Sequence, residues 1–138
     1  MEFRKTKILN IAIKKEQEHN LSAKSKIEKM LKEKDVIGFD IYNDDKLIGF
    51  AMLKEFGLNK YFLWDYLIDY NYQNKGFGTR ALIELIDLLK NKYHCEVITT
   101  TYKYGNAQAK HLYEKLGFVE TDIVDEGGVH EVNMMLEL

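Results

Sequence analysis

The chain has 138 residues, 46% hydrophobic and 30% charged, enough for one domain (1–138) with its own core. A formal net charge of −2 gives no broad basic surface for nucleic acid, and no run approaches the roughly 18 apolar residues of a membrane span. A single cysteine, Cys95, excludes an intrachain disulfide framework or a cysteine-based zinc knot.

Glu2–Lys5 fits a short edge strand. Ile8–Ile13 is apolar without a clean period and is read as a short helix. Lys14–Asn20 is polar and continues that helix or forms a loop. Ser25-Lys26-Ile27-Glu28 has the form of a capping box, with Ser25 at the N-cap and Glu28 three residues on. Ile27, Met30 and Leu31 share a stripe, which predicts a helix to about Lys34. The period then changes. Ile37, Phe39 and Ile41 alternate with Gly38, Asp40 and Tyr42 as in a half-buried strand. Asn43–Lys46 is a turn cluster, and Leu47–Lys54 returns as the second arm of a hairpin. After a turn at Phe56–Asn59, Tyr61–Ile68 is hydrophobic on both faces, as a central strand requires.

The stretch from Trp64 to Arg80 runs from this strand through Asp69-Tyr70-Asn71 into Gln73-Asn74-Lys75-Gly76-Phe77-Gly78 and then a helix. A strand, a Gly-rich turn and a helix N-terminus bring several backbone N–H groups to one point, which suits a phosphate or pyrophosphate. A loop with two incidental glycines is the plain alternative. The third glycine of a dinucleotide fingerprint is missing, and so is the G-K-[ST] of a nucleoside-triphosphate loop. Arg80–Tyr93 carries a helical core stripe of Leu82, Leu85, Ile86 and Leu89. Glu96–Tyr102 alternates as a strand, with Cys95 at its start read as a buried thiol. The helix between it and Tyr61–Ile68 implies a right-handed parallel crossover. Asn106 is placed to N-cap the next helix, whose Ala109, Leu112, Tyr113 and Leu116 share a face and which ends at Gly117. Phe118–Val124 and Val129–Leu136, joined through Asp125–Gly128, form a terminal hairpin.

Two segments carry a resemblance. Gln73-x-x-Gly76-x-Gly78 resembles the Q/R-x-x-G-x-G/A pyrophosphate loop of the GNAT family of N-acetyltransferases. Asn106–Phe118, reading NAQAKHLYEKLGF, resembles the family's second signature, N-x-x-A-x-x-L-Y-E-K-L-G-F. The resemblance spans at least residues 60–120, and the hairpin at 36–54 looks like the family's second and third strands. It implies an α/β fold: a single mixed, mostly antiparallel sheet of six or seven strands, flanked by helices and splayed near the cofactor. Lys15-Glu16-Gln17, Tyr61–Asp65 and Ile68-Asp69 look like bacterial diamine and spermine/spermidine acetyltransferases, although relatives often carry Arg where this chain has Asp65.

The resemblance implies transfer of an acetyl group from acetyl-CoA, as cosubstrate, to a primary amine by direct attack in a ternary complex. It places the cofactor on backbone N–H groups of Gln73, Asn74, Lys75, Gly76, Phe77, Gly78 and Thr79, on the backbone of Leu67 and Ile68, and on Asn106. It makes Tyr113 the proton donor to the leaving thiolate, a role its phenol suits because the two groups have similar basicity. By periodicity alone Tyr113 reads as a core residue. Asp65 is the first candidate for the base, with a structural carboxylate or base action through water as alternatives. Asp69 is expected to organise the turn. Glu16, Trp64, Glu126 and Glu131 are candidates for the acceptor site, because a cationic amine needs carboxylates to offset its desolvation. A core aromatic is the plain reading of Trp64. No histidine spacing suggests a metal. The acceptor is expected to be a polyamine or diamine; a protein N-terminus or another amine, and a noncatalytic acetyl-CoA sensor, are the alternatives. A cytoplasmic homodimer without membrane or nucleic-acid partners is the remaining expectation.

Overall fold

The computed structural model describes residues 1–12 and 23–138. Lys15, Glu16 and Gln17 lie outside the described residues. Seven strands form one sheet: β1 (Glu2–Thr6), β2 (Val36–Asn43), β3 (Lys46–Gly57), β4 (Lys60–Ile68), β5 (Val97–Lys103), β6 (Val119–Glu126) and β7 (Val129–Glu137), in the order β1-β2-β3-β4-β5-β7-β6. All neighbouring pairs are antiparallel except β4 with β5, which run parallel through the crossover helix. The described helices are α1 (Lys24–Met30), α2 (Phe77–Lys92) and α3 (Ala107–Lys115), with a short 3-10 turn at Tyr70–Tyr72. None is long and apolar enough to cross a membrane.

The strand alternation sorts side chains into two cores. Leu82, Leu85 and Leu89 of α2 and Tyr113 of α3 pack with Ala51, Leu53, Leu63 and Ile98. Ile27 and Met30 of α1 pack with Phe50, Met52 and Leu67. Neighbouring β3 residues fall in different clusters, so helices cover both faces of the sheet.

The N-terminal expectations need correction. Residues 8–12 form no helix. Leu9 and Ile11 are buried two apart, an extended spacing, and the Leu9 N–H donates to Glu28 Oε2 at 3.0 Å. That bond also removes the capping box. Glu28 is committed to the preceding segment, and Ala23 rather than Ser25 is the N-cap, without a side-chain cap among the described residues. The helix stops at Met30 instead of Lys34, because the chain tightens to Lys32 N–H to Lys29 O and Glu33 N–H to Met30 O bonds before entering β2. Elsewhere the expected elements stand with shifted ends. α2 begins at Phe77, ahead of the expected Arg80. The Asn106 side chain accepts from Ala109 N–H at 3.2 Å as an N-cap, and Gly117 closes α3 at φ 98°. Cys95 is buried, and its thiol donates to the Val97 carbonyl.

One irregularity positions everything that follows. Leu63 lies opposite Leu53 and Asp65 opposite Met52, so Trp64 is an extra residue with no partner across β3. A bulge of this kind bends the strand and increases its twist. Pairing of β4 with β5 runs from Lys60↔Val97 to Leu63↔Thr100 and ends there, at the bulge.

Candidate active site

Beyond Leu63 and Thr100 the two parallel strands part. The gap opens into a cleft of about 840 Å³. Trp64–Ile68 line it on one side, Thr101–Lys103 on the other, and Asn106, Ala109, Leu112 and Tyr113 of the α3 segment close it. Cleavage of the sheet here exposes backbone in a place that is otherwise sheet interior. An extended ligand arm can take the place of a missing strand at such a gap.

The Gly-rich loop sits at one end of the cleft. Asp69 Oδ1 accepts from Asn71 N–H at 2.8 Å, so Asp69 organises the turn as expected. The Gln73 side chain donates to the Ile68 carbonyl at 2.9 Å and ties the loop back to β4. Its amide is therefore engaged within the loop itself. Gly76 is the N-cap of α2 at φ 84°, which a side chain would strain. The first intrahelical bond of α2 is Arg80 N–H to Gly76 O at 3.1 Å. The N–H groups of Phe77, Gly78 and Thr79 precede it and have no acceptor within the helix. Gly78 differs from Gly76: its φ is not positive, and a Cβ there would meet only Ile68 Cγ1 at 3.6 Å. Neither backbone nor packing demands glycine at 78, and what its missing side chain leaves is room in the cleft wall.

Each expected cofactor residue can be placed. Leu67, Ile68, Gln73, Asn74, Gly78 and Asn106 line the cleft. Lys75, Gly76, Phe77 and Thr79 stand at the loop and the first helical turn but outside the lining. The Phe77 ring packs edge-on to Tyr72 at 5.9 Å, so only its backbone can serve an anion.

Tyr113 and Asp65 also meet at this cleft. Tyr113 is 7% exposed and Asp65 5%. Burial pushes the Tyr113 phenol above its ordinary value; a hydrogen bond with Thr100 draws it back, and the nearby Asp65 charge adds to the rise. The phenol therefore holds its proton through neutral and mildly alkaline pH, as a proton donor must. Trp64 both lines the cleft and packs on the α1-side core, joining Phe62 at 5.8 Å between centroids. Glu131 lines the cleft, while Glu126 is exposed at the hairpin tip and does not. Glu16 lies outside the described residues.

Two hydrogen-bonded side chains near the parting of the strands were not singled out from the sequence. Thr100 is buried and donates to the Leu63 carbonyl at 3.1 Å, at the point where the strands separate. Tyr66 donates to the Gly78 carbonyl at 2.6 Å. A run of three threonines in an otherwise apolar strand hinted at the first; nothing in the sequence distinguished the second from its neighbouring aromatics.

Comparison with known proteins agrees with this geometry. The model of the acetyltransferase (GNAT) family matches residues 6–118. The spermine/spermidine N(1)-acetyltransferase of Bacillus subtilis is 32% identical over 98 residues, which take in 64% of this chain. The chain spans only 62% of the length of that relative. Among solved structures, the ribosomal-protein-S18-alanine N-acetyltransferase from Escherichia coli superposes with a TM-score of 0.67 at 28% identity, covering 80% of this chain and 76% of that one. A variant of spermidine N-acetyltransferase from Vibrio cholerae superposes with a TM-score of 0.71 at 22% identity, covering 83% and 75%. The last likeness concerns the fold alone.

Proposed function

The chain belongs to the acetyltransferase (GNAT) family, and from that premise we propose that it transfers an acetyl group from acetyl-CoA to a primary amine of a polyamine or diamine. The observation that carries this reading is the parting of β4 from β5 after Leu63↔Thr100, with a helix N-terminus at one end and Tyr113 facing the gap. The residues present fit acetyl-CoA. The backbone N–H groups of Phe77, Gly78 and Thr79 hold its pyrophosphate, the space left at Gly78 admits it, and Leu67, Ile68 and Asn106 hold the extended arm. When bound, acetyl-CoA supplies a thioester as acetyl donor and a thiolate as leaving group.

The chain's own residues do the rest. Asp65 takes a proton from the acceptor ammonium, directly or through water, so that the amine attacks in its neutral form. A backbone N–H near Ile68 stabilises the oxyanion. Tyr113 protonates the departing sulfur. Transfer is direct; buried Cys95, whose thiol is pushed above its ordinary value by desolvation, is not an acylated nucleophile. Trp64 and Glu131, with Glu16 from the N-terminal part, meet the cationic acceptor. The likeness to the Bacillus subtilis spermine/spermidine enzyme supports the polyamine class. The 28% likeness to the ribosomal-protein alanine acetyltransferase supports a second reading, a protein N-terminus as acceptor. We place the protein in the cytoplasm as a homodimer of single-domain chains.

A thiol-release assay with spermine, spermidine, putrescine, peptides with free N-termini and amino acids tests the function. Release with the polyamines is expected. Release with peptides alone would move the acceptor to the second reading. Acetyl-CoA binding with no release for any amine would replace the enzyme with a cofactor sensor.

A further inference from the structure

The two faces of the sheet are covered unequally. The core on the α1 side ends at Trp64 and, among the described residues, includes none from β5, β6 or β7. On that side lie Thr101 of β5 and Asn133 and Met135 of β7, because their neighbours Tyr102, Val132 and Met134 are buried in the opposite core. With Asp122 of β6, Phe62 of β4 and Lys54 of β3 they line a groove of about 570 Å³. Phe62 and Thr101 line both this groove and the cleft, so the two are continuous.

One register row crosses the groove. Thr101 lies opposite Asn133, and Asn133 opposite Asp122. The row starts one residue beyond Leu63↔Thr100, where β4 and β5 part beside the cleft that Asp65 and Tyr113 line. It ends on β6, three strand steps from β4, roughly 14 Å at the usual strand spacing. There the Asp122 carboxylate is held in place: Oδ1 accepts from Thr121 Oγ1 at 2.9 Å and Oδ2 from Asn133 Nδ2 at 3.1 Å. Two such bonds leave a carboxylate with acceptor positions to spare. Between the two ends, Phe62 and Met135 offer apolar surface. The Lys54 ammonium is engaged with Asp35 at 3.9 Å and with the Trp64 ring at 5.8 Å.

We propose that the groove is a distal acceptor subsite: with the reacting amine at Asp65 and Tyr113, the chain of a long polyamine lies along the Thr101–Asn133–Asp122 row and its far ammonium meets Asp122. The inference rests on the polyamine reading of the acceptor and narrows it to long, multiply charged amines. In such a molecule cationic nitrogens alternate with methylene runs. The groove matches that alternation, with apolar surface in its middle and a carboxylate at its far end. A short diamine held at Asp65 cannot reach β6, and a peptide brings no fixed far cation to Asp122.

The test compares spermine with putrescine on the full chain and on Asp122→Asn, which keeps the size of the side chain and can still accept from Asn133. The ratio of kcat/KM, spermine over putrescine, should fall about tenfold in the variant, as the loss of one charge-assisted hydrogen bond predicts, and the change should lie in KM. Met135→Lys, which sets a cation in the same groove, should lower the ratio too. Calorimetric titration reads the subsite without turnover: spermine should bind Asp122→Asn about tenfold more weakly. An unchanged ratio and affinity in both variants would overturn the proposal, and so would equal losses for spermine and putrescine. Weaker spermine binding in Asp122→Asn, with no thiol release for any amine, would keep the groove as a polyamine site and remove the transfer. Thiol release with spermine that is indifferent to Asp122 and Met135 would keep the transfer and remove the groove.

Discussion

The hydroxyl of Tyr66 donates a 2.6 Å hydrogen bond to the carbonyl oxygen of Gly78, joining the end of β4 to the first turn of α2. The bulge at Trp64 makes this possible. Tyr66 and Ile68 pack with the α2 side, while Leu67 packs with the α1 side, so the strand's last residues are phased to reach the loop. Burial pushes the Tyr66 phenol far above its ordinary range, so it stays a donor at every working pH. Tyr66→Phe keeps the ring and removes the bond. Acetyl-CoA affinity should fall about tenfold, with a smaller change in kcat at saturation. Calorimetric titration checks this; a loss of thermal stability with unchanged affinity would make the bond purely structural.

The two loop glycines should respond differently to alanine. Gly76→Ala forces a side chain onto φ 84° and should lower stability by about 1 kcal/mol, visible as a drop in Tm. Gly78→Ala meets only ordinary contact with Ile68 and should fold with little change in Tm. Its methyl group instead occupies room meant for the cofactor, so acetyl-CoA affinity should drop. Equal losses of Tm in both variants would mean that position 78 is glycine for packing.

Asp65→Asn removes the proposed base without changing size. Transfer at neutral pH should fall by about 10²-fold. The deficit should shrink as pH rises and solvent deprotonates more of the amine. A deficit of constant size from neutral to alkaline pH would assign Asp65 to structure or to amine binding.

Asp40 couples stability to pH. It is buried, and Asn10 Nδ2 donates to its Oδ2 at 2.7 Å. Burial raises its carboxyl above the ordinary value of 3.8, against the lowering effects of Asn10 and Arg4. A carboxyl raised in the folded state contributes most below its unfolded value, and that contribution is lost as pH rises through the folded midpoint. Tm should therefore gain from this site on mild acidification, and Asp40→Asn should flatten that part of the profile and raise Tm at neutral pH. Melting curves across the acidic range in both proteins decide it.

The local structure around the cleft could be read from the residues themselves. The loop at Gln73–Gly78 and the Asn106 cap depend on local rules, φ sign and short-range hydrogen bonds, which a sequence expresses directly. The parallel relation of β4 and β5 followed from the full helix that connects them. What stayed hidden depends on partners far apart in the chain. Glu28 left its capping box for the Leu9 N–H, a bond across 19 positions. Thr100 gained its meaning from Leu63, 37 positions away. The bulge at Trp64 shows only in register with β3, because an extra residue in an unbroken hydrophobic run leaves no mark on periodicity.

The central claim is that Tyr113 gives its proton to the leaving thiolate, and Tyr113→Phe tests it most directly. Phe retains the ring that packs at 5.4 Å from Phe118, so the fold and acetyl-CoA affinity should persist. The wild-type pH–rate profile should hold its rate past the ordinary phenol range, because burial raises the Tyr113 phenol. The measurement is the single-turnover rate of acetyl transfer to spermidine, which separates chemistry from product release. The account predicts a loss of about 10²-fold or more and disappearance of the alkaline limb. A well-folded Phe variant with the wild-type single-turnover rate and pH profile would contradict it.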